Sequence, residues 1–260
     1  MRVTIFPVDD LANMIVMVDS SSLNSMYIRG EACILLHDGL EGWYESPTPS
    51  LSLDRIPTQD GAWNPSMVTL EPRVLTIRGA YYSAGSMLAT GLFRDRLALL
   101  PGRELVVRVE DELGVREVHG WVSDTVDIQP VGAWACQFTL QISCPDPLKY
   151  GQETSLTVTD NLASAENTGD HATFPVFTVS SPITRFTAEC SGKSFMWACD
   201  YASPLTIDMR LGITYDLDGQ IVGTVNADNP VCFLPGVNSM TVSTVPAHTA
   251  VTCGWRPAWV

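Results

Sequence analysis

A chain of 260 residues with 45% hydrophobic content is long enough for two ordinary domains or one large β domain with buried cores. Fifteen Lys plus Arg against 29 Asp plus Glu give a formal net charge of −14, which argues against nucleic-acid binding and against docking on anionic membrane. Seven cysteines, widely spread and without a CxxC pair, offer no start for a zinc site and read as buried reduced thiols; Cys190 with Cys199 across a hairpin is the one pairing considered, and no secretory context supports it.

At the N-terminus, "MRVTIFPVDDLANMIVMVD" has one early Arg, but Asp9 and Asp10 interrupt it and "MIVMV" is too short for a signal-peptide core. No apolar stretch approaches the roughly 20 residues needed to span a bilayer, so the expectation is a soluble chain without membrane insertion. Short alternating or β-branched runs then recur, among them "NMIVMVD", "RVLTIRG", "ELVVRVED", "VREVHGWV" and "CQFTLQIS", and mark a mostly β protein.

Residues 40 to 72 carry Pro47, Pro49, Pro57 and Pro65 before Pro72, with "QDGAWN" at the centre. Proline cannot donate to a sheet ladder, so this segment reads as a long irregular or hairpin arm and not a central strand. Trp63 at its tip is a large apolar group of the kind that waits for a partner.

One helix interrupts the strands: "SMLATGLFRDRLALL", residues 86 to 100, with Ser86 as N-cap and Pro101-Gly102 as the stop. Ala89, Phe93, Leu97 and Leu100 recur at i, i+4, i+8 and i+11, with Arg94, Asp95 and Arg96 between them, so that apolar face should lie on a sheet. Beyond it, "DELG" joins "ELVVRVE" to "VREVHGWV", and Leu105, Val107 and Val109 should pair with a strand carrying Val115 and Val118.

Pro145 and Pro147 in "SCPDPLKYG" forbid continuation as helix or central strand and mark a seam, which places domains at 1–150 and 151–260. The polar "SLTVTDNLASAENTGDHAT" that follows reads as a partly mobile linker. After it, "FPVFTVS", "FTAEC", "FMWAC", "LTIDM", "VCFL" and "SMTVSTV" come at intervals that suit a jelly-roll or galectin-like sandwich, and Asp218-Gly219 suits a type I′ hairpin turn.

Chemistry is sparse. Asp216-Leu217-Asp218-Gly219 starts like a calcium loop, but the later acidic ligands are missing. His37, His119, His171 and His248 lie far apart, outside any HExxH pairing, and GxSxG, SxxK and GxxxxGK[ST] are absent. Carboxylates are plentiful, but none stands out as a glycosidase pair. Trp197, Tyr201 and Tyr215 are candidates either for stacking on sugar rings or for the core of a sandwich.

The order of landmarks says more than any one of them. "RIPTQDGAWNP", then "PRVLTIRGAYYSAGS" leading into one helix, then a hairpin, then "FTLQISCPDPLKYG", resembles the N-terminal domain of the distal tail proteins of phages with long, non-contractile tails. "FPVFTVSSPI", "PLTIDMRLGITYDLDGQIVG" and "FLPGVNSMTVS" resemble the sandwich domain that follows in that family, so the likeness spans roughly residues 50 to 245. The resemblance implies a mainly β chain of two β-sandwich-like domains, the first with one α-helix and a long hairpin arm, the second galectin- or jelly-roll-like.

It also implies a role in the virion at the distal end of the tail, after synthesis and assembly in the host cytoplasm. There the chain would form a ring, hexameric in the family, that joins the tail tube protein to tail-tip and receptor-binding proteins, without catalysis, cofactor or metal. The first domain would close the ring and the second point outward. The arm, matched by Arg55 to Pro72, would be a belt on the neighbouring subunit, with Arg55, Pro57, Trp63 and Pro65 at the contact. No large insertion is visible that would bind host sugar. The alternatives are a carbohydrate-binding β-sandwich that attaches to the host surface, and behind it a hydrolase.

Overall fold

Residues 1–19, 31–57, 59–60, 62–64, 68–159, 161–201, 204–222, 225–226 and 230–260 are described by a computed structural model. They fall into two units, Met1–Lys149 with Val260, and Tyr150–Trp259.

In chain order the first unit comprises β1 (Arg2–Pro7), β2 (Ile15–Asp19), β3 (Ala32–Glu41), β4 (Pro49–Ser50), β5 (Thr69–Leu70), β6 (Arg73–Tyr82), α1 (Met87–Ala98), β7 (Leu105–Asp111), β8 (Gly114–Val122), β9 (Asp127–Pro130) and β10 (Ala135–Cys144), with β11 (Lys149–Tyr150) on the unit boundary. Strands run in the order β8-β7-β1-β2-β3-β6-β10-β9, and β10 also pairs with β8, at Ile142↔Val122 and Ser143↔Trp121. Seven strands therefore close on themselves, with the short β9 outside the circuit on β10. All neighbours in it are antiparallel except β2 and β3, which meet in parallel at Val18↔Ile34 and Asp19↔Leu35.

Period-two alternation sets which side chains fill the closed sheet. On β6, Leu75, Ile77 and Tyr81 point inward while Val74 and Tyr82 point out. Burying Leu75 or Ile77 contributes about 2 kcal/mol each. β7 and β8 form the hairpin expected of "ELVVRVEDELGVREV", with Val107 opposite Val118 and Gly114 at the turn, where φ is +105°.

Ser86 caps α1, its Oγ accepting from the Ala89 N–H at 3.1 Å. Phe93, Leu97 and Leu100 are buried in the core, and the Phe93 ring stacks on Tyr81 with centroids 4.1 Å apart and planes 6° apart. Phe93 also meets Phe138, whose ring occupies the space beside Gly79; a Cβ there would lie 2.4 Å from it.

The second unit contains β12 (Thr154–Thr159), β13 (Asn161–Asn167), β14 (Val176–Val179), β15 (Ile183–Cys190), β16 (Lys193–Tyr201), β17 (Leu205–Asp208), β18 (Ile213–Asp216), β19 (Val225–Asn226), β20 (Gly236–Val245), β21 (Ala250–Trp255) and β22 (Ala258–Trp259). Two five-stranded antiparallel sheets, β12-β21-β14-β17-β18 and β13-β20-β15-β16-β19, share one core in which Phe177, Phe186 and Phe195 meet in tilted and edge contacts. This is the aromatic-rich interior of a β-sandwich.

Two expectations are corrected here. The stretch read as a mobile linker is largely strand: β12 pairs along β21 and β13 along β20. Both are edge strands, with Val158 and Ala165 buried on one face and an outward face that is polar except for Leu162. The 216–219 turn is not type I′, because Gly219 has positive φ (+76°) and Asp218 does not; the Asp216 carboxylate instead accepts from the N–H groups of Asp218 and Gln220.

Candidate functional site

The arm is built from what its prolines permit. β4 and β5 pair for two residues, Pro49↔Leu70 and Ser50↔Thr69, and the Glu71 N–H donates to the Thr48 carbonyl at 2.8 Å. Farther out, among the described residues, the ladder continues as an Arg55↔Ala62 bridge, with the Trp63 N–H donating to the Asp54 carbonyl at 2.9 Å. Proline lacks the N–H that a continuous ladder needs, so the arm is an intermittent hairpin.

This places Arg55 and Trp63 on facing sides of one arm and leaves Pro57 exposed beyond Arg55; Pro65 lies outside the described residues. Trp63 is 60% exposed, and Leu51, Leu53 and Val68 are exposed beside it in sequence. Four large apolar side chains on an element without a core of its own are more than scattered surface hydrophobics.

A second apolar surface escaped the sequence reading. On α1, Leu88, Leu92 and Leu99 lie opposite the buried face and are 74%, 57% and 56% exposed. Met87 is exposed at the start of the helix, as are Tyr82 just before it and Trp134, whose carbonyl accepts from the Ser83 N–H at 2.9 Å. Recurrence at i, i+4 and i+11 was the available signal, masked by the charged triplet Arg94-Asp95-Arg96 beside it. Among the described residues, Arg94, Asp95 and Arg96 make no ion pair, and neither do Asp54, Arg55 and Asp60 on the arm.

Two buried cations tie down the end of the first unit. Arg73, 2% exposed, donates from Nε to the Pro147 carbonyl at 2.8 Å and from one terminal nitrogen to the carbonyls of Gly42 and Glu45. Its other terminal nitrogen is buried without a partner, and desolvation lowers its pKa below the ordinary arginine value. Lys149, 5% exposed, donates to the Trp43 carbonyl at 3.1 Å and stands over the Trp43 ring. Both hold the seam peptide; neither is presented to a ligand.

The remaining candidates for chemistry are scattered. A cleft of about 930 Å³ is lined by Tyr44 and the acidic run Glu110-Asp111-Glu112. Burial, and then the hydrogen bond that the Tyr44 hydroxyl donates to Asp111 at 2.9 Å, push that phenol up to about 12. Such a phenol gives up its proton reluctantly, and no histidine or cysteine lines the cleft. His37 and His119 pair with Asp38 and Glu104 on separate elements, and no metal-holding group of His, Cys, Asp and Glu occurs among the described residues.

Six cysteines are free thiols, five of them buried, and the side chain of Cys199 lies outside the described set. Trp197 is fully buried and donates from Nε1 to the Val222 carbonyl at 3.2 Å, so it belongs to the core and not to a sugar-stacking face. Tyr215 is half-buried, and the side chain of Tyr201 is outside the described set.

A closed sheet with one covering helix and a protruding arm, followed by a two-sheet sandwich, defines a two-unit, mainly β protein. No protein-family model matches the sequence, and no curated protein does. Among solved structures, the fold is similar to that of a phage Dit protein. The crystal structure of the SPP1 Dit protein (gp 19.1), described as a paradigm of hub adsorption apparatus in Gram-positive infecting phages, matches with TM-score 0.60 at 17% identity, over 87% of this chain and 94% of that one. The phage P2 baseplate in its activated conformation with Ca matches over 98% of each chain at 8% identity and TM-score 0.49, and the Sr form over 98% of each at 9% and 0.41.

Proposed function

We propose that this chain is a structural component of a phage tail tip, a hub ring of identical copies that joins the tail tube to the tip and receptor-binding proteins. The observation that carries this is a fold shared with SPP1 Dit over nearly the whole of both chains. The first unit closes a ring of six and the second projects outward, with no catalytic step. The arm reaches a neighbouring copy through Arg55, Pro57, Trp63 and Pro65, which accounts for an exposed Trp63 and for apolar side chains with no core of their own. In a chain of net charge −14, such a ring presents a negative lumen from which passing DNA is released easily.

The test is the mass of the assembled species and its place on the particle. Native mass spectrometry is expected to find six chains of 28.3 kDa, about 170 kDa, and antibody labelling to mark the distal tail end. A single-chain mass at every concentration, with no label on the tail, overturns the proposal.

A further inference from the structure

We infer that the arm of one copy lands on the outer face of α1 in the next copy, its apolar side chains covering Leu88, Leu92 and Leu99 while its acidic residues meet Arg94 and Arg96. This rests on the proposed self-assembly and names the surface that the arm takes.

A helix lying on a core and facing water on its other side ordinarily turns a charged or polar stripe outward. α1 is apolar on both sides: Phe93 and Leu97 are buried, yet Leu88, Leu92 and Leu99 are exposed. The arm has the same character, exposing Leu51, Leu53, Trp63 and Val68. One chain thus carries two unpartnered apolar surfaces that are different from each other, as a heterologous, ring-closing contact requires.

Within one copy the roots of these two surfaces are set apart. The arm is rooted at Leu70, just before β6 begins at Arg73, whereas α1 starts at Met87, beyond the other end of β6 at Tyr82. Ten strand residues separate the two roots by roughly 30 Å.

Charge favours a second copy as the occupant. The chain has only 15 cations, and α1 holds two of them without ion-pair partners among the described residues, Arg96 beside the leucine stripe and Arg94 farther round the helix. The arm offers Asp54 and Asp60, also unpaired there, and its single cation, Arg55, has a counterpart in Asp95 on the leucine face. Matched signs on both sides fix register and speed encounter between two otherwise acidic bodies.

The experiment places the photo-crosslinker p-benzoylphenylalanine at position 63 of the full chain and irradiates a mixture of isotopically light and heavy copies. Mass spectrometry then identifies crosslinks between copies. Mixed-isotope crosslinks to the 79–94 peptide, which contains Leu88 and Leu92, are the expected result. In parallel, Leu92→Glu, at an exposed position, should lower the assembled fraction at least tenfold with an unchanged monomer melting curve, while Leu92→Met leaves assembly intact. Crosslinks to another surface of a second copy, with the assembled mass retained, overturn the landing site and leave self-assembly standing. Crosslinks only within one chain, with a single-chain mass, overturn both.

Discussion

The ammonium of Lys149 stands 5.7 Å from the centre of the Trp43 ring and donates to the carbonyl of that same residue at 3.1 Å. Trp43 is itself buried, so a lysine at the end of the first unit is drawn into an apolar wall more than a hundred residues back in the chain. Lys149→Met keeps the stem against the ring and removes the charge-assisted bond. It should lower stability by about 1–2 kcal/mol, read as a lower denaturation midpoint at unchanged m-value. A midpoint equal to that of the parent would mean that the ammonium is not a tether.

Arg73 is the stronger clamp, because its fork meets the carbonyls of Gly42, Glu45 and Pro147 together. Lysine has one nitrogen where this site uses two, so Arg73→Lys is not conservative. Two carbonyls buried without a donor should cost about 3 kcal/mol in urea unfolding of the first unit. A loss below about 0.5 kcal/mol would show that water replaces the fork.

Gly79→Ala adds a methyl group where the Phe138 ring already lies. Overpacking of this kind costs about 1–3 kcal/mol and should lower the melting temperature by roughly 3–8 °C. Combining it with Phe138→Leu should recover part of the loss; equal or greater loss in the double variant would place the strain elsewhere.

Trp63 gives the opposite expectation. At 60% exposure it contributes little to the isolated chain, so Trp63→Ala should leave the melting temperature within about 1 °C and still reduce assembly. A lowered melting temperature with unchanged oligomer would assign the side chain to the core instead.

Burial pushes the Cys144 and Cys253 thiols up to about 12 from an ordinary 9.0. Above pH 9 the unfolded chain therefore releases these protons and the folded chain does not. The unfolded state binds fewer protons there, so stability falls as pH rises from 9 toward 12, by up to about 1.4 kcal/mol per pH unit for each thiol. Denaturant melts at pH 8, 9 and 10 check the sign, and replacing both thiols by alanine should flatten the profile.

Much of the fold was legible because it is local. The β7–β8 hairpin and the inner face of α1 announce themselves within a few residues through alternation, turn chemistry and a cap. Less legible were features that depend on what lies far away in sequence. The parallel meeting of β2 and β3 has no local signature, and the edge strands β12 and β13 look like linker because each buries a single face with few large side chains.

The same division holds for the candidate site. An exposed Trp63 was foreseeable from prolines that keep the arm out of any central sheet. The leucine stripe on the outside of α1 was overlooked because one apolar face already explained the helix and the adjacent charges suggested solvent. Arg73 and Lys149 carry no sequence mark of burial at all, since their partners are backbone carbonyls contributed by distant turns.

Pairing of β10 with β8 leaves the first unit few open strand edges. β9, outside the circuit, is only four residues long, starts with Asp127 and ends with Pro130. A growing fibre needs a long, flat, unguarded edge to template the next chain, and this sheet withholds one. In the proposed assembly, copies of such a chain are steered away from open-ended strand polymer and left to add in countable numbers through side-chain contact.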